Sequence, residues 1–202
     1  MTMNRKKTVF LAAILVALLA AGIAVDLMLP SYHIAVKVIK KATVYALVAV
    51  SMNLLNGFTG LFSLGQAGFM LLGAMAYGVL TIPVADRLSV YQYFDGGLIQ
   101  FSLPEIFSGF LGDTVGTTVG MLLALAVGGI LSAIIAWLIG LPVLRLKSDY
   151  LAIATLGFAE ILRAFFQWNA LGPITNGSNL LRGYPDFAHV TSYFLLAGVM
   201  IA

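Results

Sequence analysis

The stretch Asn56-Gly57-Phe58-Thr59-Gly60-Leu61-Phe62-Ser63-Leu64-Gly65-Gln66-Ala67-Gly68-Phe69 (NGFTGLFSLGQAGF) lies inside a run, residues 42–85, that holds no Asp, Glu, Lys or Arg. A charge-free run of that length reads as membrane, because one crossing needs about 20 apolar residues. Yet its middle is dense in glycine and carries Asn56, Thr59, Ser63 and Gln66. Irregular backbone at membrane depth is tolerated only where protein buries it or a water-filled path runs alongside. The stretch therefore predicts a broken or re-entrant segment near 56–68, joining crossings near 35–55 and 66–83.

Composition agrees. The 202 residues are 61% apolar and only 9% charged, against about 45–50% and about 25% in a soluble domain. The expected fold class is an all-α integral membrane protein. It is a polytopic helical bundle of about six transmembrane segments, forming a single transmembrane domain over residues 1–202. The absence of cysteine excludes disulfides, a thiolate nucleophile and Cys-based metal sites. His33 and His189 are far apart and read as interfacial residues, so no metal site is expected. A net charge of +3 without a basic cluster excludes a nucleic-acid surface.

Working outward, residues 8–29 form a first apolar run behind Arg5, Lys6 and Lys7. The run exceeds the apolar core of a signal peptide, about 7–15 residues. It predicts an uncleaved helix with a cytoplasmic N-terminus. Residues 84–115 read as an external loop with four acids (Asp86, Asp95, Glu105, Asp113) and one base, Arg87. A span over 116–140 ends before Pro142. The basic link Arg145-Leu146-Lys147 then falls inside, as the positive-inside rule requires. A span over 150–171 follows, and residues 172–188 read as a second external loop from their Gly-Pro, Asn-Gly and Tyr-Pro turn signals. Lys37, Lys40 and Lys41 fall on the outer side, spaced to share one helix face, and read as an interfacial turn before the second span. The last apolar run, from residue 187, is short for a crossing, and a C-terminally truncated chain is the expectation.

Lys147-Ser148 resembles the end of a phosphate-binding loop, but Leu146 stands where that motif needs glycine. No nucleotide site and no enzymatic activity are expected in this chain. The glycines at 57, 60, 65 and 68 support two readings. Small residues let helices approach closely in a membrane. Transporters also place solute sites where helices break. On the second reading Asn56, Ser63, Gln66 and Thr155 border a solute path, and Gly57, Gly60, Gly65 and Gly68 shape its backbone. Glu160 and Arg163, three apart in one span, predict an intramembrane ion pair, since lone charges there are costly. They could instead line a pathway, with Gln167 extending the polar surface.

Three segments resemble a known family. Residues 45–78 (YALVAVSMNLLNGFTGLFSLGQAGFMLLGAMAYG), 145–163 (RLKSDYLAIATLGFAEILR) and 175–185 (TNGSNLLRGYP) are similar, in order, to blocks of the branched-chain amino-acid ABC transporter permeases of the LivM type. Asn176 stands where that family commonly has glycine, and Leu180 replaces another. The family's Arg-rich cytoplasmic coupling segment has no counterpart in these residues. The resemblance implies a multi-pass permease domain in the cytoplasmic (inner) membrane of a bacterium or archaeon. Its implied partners are the lipid bilayer, a second permease subunit, two cytoplasmic ATPase subunits holding ATP and Mg, and an external solute-binding protein. The implied cargo is leucine, isoleucine or valine. A permease for urea or short amides, and a membrane assembly protein that moves nothing, are the alternatives.

Overall fold

The computed structural model describes residues 16, 19–28, 30, 33–187 and 189–201. Of the first expected span only residues 16 and 19–28 fall among them; Arg5, Lys6 and Lys7 lie outside the described residues. Every regular element among the described residues is helical. In chain order these are α1 (Leu19–Met28), α2 (Ile34–Asn53), α3 (Gln66–Thr81), α4 (Arg87–Val90), α5 (Leu103–Leu111), α6 (Asp113–Val143), α7 (Ser148–Gln167), α8 (Gly172–Thr175) and α9 (Val190–Ile201).

By length and composition, α6 and residues Tyr150–Gln167 of α7 can each cross a membrane. Helix α3 and Val84–Val90 pass the same test only as a pair, bent by 101° between the two parts, the geometry of a broken span or a re-entrant loop. Helix α2 is 20 residues long but carries Lys37, Lys40 and Lys41 in its first turns; α1 and α9 are shorter apolar helices. The regular structure of the described residues is thus all helical, with two to three membrane-length apolar helices among them.

Two compact units make up the chain, residues 1–58 with 186–202 and residues 59–185. In the first, α1 and α2 pack with α9. Asp26 of α1 caps the N-terminus of α9, accepting from the backbone N–H groups of Val190 (2.8 Å) and Thr191 (3.0 Å) and from the Thr191 hydroxyl (2.7 Å). That satisfies donors a helix start leaves orphaned. Gly22 lets the Phe194 ring approach, since a Cβ there would lie 2.6 Å from it. The three lysines of α2 have different surroundings. Lys37 and Lys41 are exposed, whereas Lys40 is buried. Its ammonium donates to Asp186 (3.0 Å) and to the Phe187 carbonyl (2.6 Å), and lies over the Tyr193 ring.

In the second unit the 31-residue α6 is the longest element. It turns back from α5 at Gly112, whose φ of +84° only glycine adopts freely. Helix α5 lies antiparallel on the first turns of α6. The contact forms at Gly116 and Gly120, where an added Cβ would strike the backbones of Phe107 and Pro104. Further along, Gly128 faces Gly73 of α3, with Gly73 O 3.2 Å from an added Cβ. These are close small-residue crossings of the kind membranes favour. Helix α6 begins earlier than the sequence suggests, with Asp113 in its first turn, where the helix dipole favours an acid. It also runs through Pro142 to Val143. Pro142 has no N–H to offer the Leu138 carbonyl one turn back, and the helix ends one residue later.

The 84–115 segment, expected to be loop, contains α4 and α5, and Arg87 staples part of it. Arg87 is 1% exposed. Its Nη2 donates to the carbonyls of Val79 (2.9 Å) and Phe101 (2.7 Å), and Nη1 donates to that of Ile99. Tyr91 is also buried, and its hydroxyl donates to the Ile174 carbonyl at 2.9 Å. Burial raises the pKa of the Tyr91 phenol. Asn176, where the resembling family carries glycine, has φ +63°. Asparagine tolerates this left-handed conformation better than most residues, and its buried amide donates to the Val90 carbonyl at 3.0 Å.

Candidate functional site

Helix α2 does not stop cleanly. It continues as one π-helical turn, Leu54–Phe58, before the backbone becomes irregular up to Gly65. Such turns recur at functional sites. Asn56 sits half-buried in this turn. At Gly57 an added Cβ would strike Asn53 Oδ1. Gly60 adopts φ +68° with open space around it, so glycine is needed there for conformation rather than packing.

Within the second unit, side chains satisfy the irregular stretch. Leu64 N–H donates to Thr155 Oγ1 of α7 at 3.0 Å, and the Thr155 hydroxyl itself donates to Ala152 O. Ser63 is buried and its Oγ accepts from Gly65 N–H at 3.4 Å. Thr59 Oγ1 accepts from Leu61 N–H. Helix α3 then starts at Gln66, which is half-buried in its first turn. Gly65 and Gly68 bring α3 against α7. A Cβ at Gly65 would touch Thr155, and one at Gly68 would lie 2.9 Å from Ala159 Cα. The register, Gly65 beside Thr155 and Gly68 beside Ala159, makes the two helices run parallel. The structure thus brings Ser63, Gly65, Gln66, Gly68 and Thr155 around the start of α3. Asn56 and Gly57 belong to the other compact unit.

Toward the other ends of the same helices, α3 and α7 separate around a cavity of about 440 Å³. Helix α3 supplies Leu71, Ala74, Met75, Tyr77 and Gly78. Helix α7 supplies Arg163, Phe166 and Gln167, and the turn after α8 closes it with Gly177–Leu181 and Tyr184. Tyr77 is held by a 2.7 Å hydrogen bond to the Pro185 carbonyl and an edge-on contact with Tyr184. Arg163 Nε donates to Glu160 Oε2 at 2.9 Å, with both side chains about 60% exposed (60% and 58%). The cavity begins at Arg163, about 12 Å along α7 from Thr155 at about 1.5 Å per residue. It is therefore separate from the cluster around Ser63. Among the described residues no three His, Asp or Glu side chains could together hold a metal ion. Arg163 and Gln167 are legible in the sequence as site candidates; Tyr77, Asn179 and Tyr184 are not. The usable signal was the four-residue step from Arg163 to Gln167 on one helix face.

Residues 34–201 match the family described as branched-chain amino acid transport system / permease component. The high-affinity branched-chain amino acid transport system permease protein LivM of Escherichia coli is 31% identical over 142 residues, and its Salmonella typhimurium counterpart is 32% identical. In each case the match covers 70% of this chain and 25% of the relative. A probable LivM permease of Methanocaldococcus jannaschii is 26% identical over 69% of this chain and 38% of its own length. The matched region thus spans about a quarter of the bacterial relatives. No solved structure matches the chain. With more than four-fifths of its length inside the family match, the chain belongs to the branched-chain amino acid transport permease components.

Proposed function

We propose that this chain is a membrane-spanning permease subunit of an ATP-driven importer of leucine, isoleucine and valine. The observation that carries the reading is the family match over residues 34–201, which includes the helix break and its Thr155 anchor. On this reading the chain forms a permease domain of about six spans in the cytoplasmic membrane, with its N-terminus inside. A second permease subunit completes the path. Two ATPase subunits hold ATP and Mg, and an external binding protein delivers solute. The ATPases bias the inward- and outward-open states, because only differential binding moves such an equilibrium. Asn56, Ser63, Gln66 and Thr155 border the path. In the second unit the last three surround the point where α3 starts beside α7.

The test compares Ser63→Ala and Gln66→Ala with the parent chain for leucine uptake and for assembly of the transporter. The proposal expects reduced uptake with assembly intact. Normal uptake at normal expression in both variants would refute the path assignment.

A further inference from the structure

We propose that the cavity between α3, α7 and the 177–184 turn is a solute-binding site in which Arg163 holds the carboxylate of an amino acid with an apolar side chain. The inference rests on the transport reading and assigns the cargo a place in this chain.

Charge comes first. Among the described residues lining the cavity, Arg163 is the only Asp, Glu, His, Lys or Arg, so the lining itself presents a positive group to a ligand. Glu160 engages Nε alone. The terminal Nη1 and Nη2 groups have no acceptor among the described residues, and a guanidinium fork suits a two-oxygen ligand. Glu160 is thus a positioning residue, fixing the guanidinium from outside the lining. The pair's exposure adds to the case. Ionised groups on a membrane helix usually face protein or water rather than lipid, and for Arg163 the open cavity supplies a surrounding of that kind.

The remaining lining matches the rest of such a solute. Gln167, one turn beyond Arg163, and Asn179 carry neutral carbonyl acceptors for an ammonium group. Leu71, Ala74, Met75 and Phe166 form an apolar wall for an aliphatic side chain. A volume of about 440 Å³ falls within the roughly 300–1,000 Å³ of small-molecule sites.

The experiment measures radiolabelled L-leucine binding to the full chain in lipid nanodiscs, with leucine uptake by cells carrying the whole transporter as a parallel readout. The variants are Glu160→Gln combined with Arg163→Gln, which removes both charges together, and Ala74→Phe, which fills the cavity and keeps the ion pair. The proposal expects each to weaken leucine binding at least tenfold, about 1.4 kcal/mol, and expects leucinamide, which lacks the carboxylate, not to displace leucine. Binding within twofold of the parent in both variants, or displacement by leucinamide, overturns it. Uptake by parental cells alongside either of those results leaves the transport reading standing and removes only this site. Arg163-dependent binding without uptake keeps the site and removes the transport reading.

Discussion

Thr155 Oγ1 accepts the backbone N–H of Leu64 at 3.0 Å, tying the irregular stretch before α3 to the middle of α7. One hydroxyl thus resolves two conflicts. It gives the unpaired backbone a partner that lipid cannot provide, and it fixes where α3 starts against α7. Thr155→Val keeps the shape and removes the acceptor. Leaving such a donor unpaired costs about 1–3 kcal/mol, so the purified protein should melt several degrees lower, while Thr155→Ser should restore most of the loss. An unchanged melting temperature in Thr155→Val would show that the bond does not hold the break.

Glycines in the same helix pair should respond in opposite directions. A Cβ at Gly68 would meet the Ala159 backbone at 2.9 Å, whereas Gly157 has nothing within 4 Å. Gly68→Ala should destabilise by about 1–3 kcal/mol through overpacking. Gly157→Ala should be neutral or stabilise by up to about 1 kcal/mol from helix propensity. Thermal unfolding in detergent separates the two, and equal responses would contradict the packing described here.

Arg87 holds the 84–101 region through the Val79, Ile99 and Phe101 carbonyls. Arg87→Ala strands three acceptors, each costing about 1–3 kcal/mol if left dry. Brief chymotrypsin treatment should then cut at Tyr93 or Phe94 at least tenfold faster than in the parent. Arg87→Lys should rescue little, because one ammonium cannot reproduce the fork. Parent-like resistance of Arg87→Ala would overturn the staple.

Burial raises the folded-state pKa of Tyr91 above its ordinary value near 10. The folded state therefore keeps this proton longer than the unfolded chain does. The stabilisation is fully present below about pH 10 and is lost as pH rises through the raised folded value. Melting temperatures from pH 8 to 11 should fall more steeply in the parent than in Tyr91→Phe. The variant should also be slightly weaker at pH 8, having lost the bond to Ile174. Parallel profiles would exclude Tyr91 as the titrating group.

The helix break was readable because polar, glycine-rich sequence inside a charge-free run has few physical outcomes. An i, i+3 spacing likewise places two side chains within reach on any helix, and Glu160 and Arg163 meet at 2.9 Å. The packing of α6 was not readable. Gly128 lies against Gly73, while its neighbour Gly129 faces open space, and the dipeptide alone cannot say which is which. The order within 84–115 was hidden because Arg87 binds main-chain carbonyls, which no side-chain pattern encodes. The cavity was hidden for a similar reason: its lining comes from α3, α7 and the turn after α8, far apart in the chain.

We propose that the transporter containing this chain imports branched-chain amino acids. The most direct test is uptake of radiolabelled leucine and urea by cells that lack other routes for both, with and without the gene for this chain. The expected result is energy-dependent leucine accumulation that disappears when the chain is deleted, with no effect on urea. Urea uptake that depends on the chain, with leucine uptake absent, would contradict it.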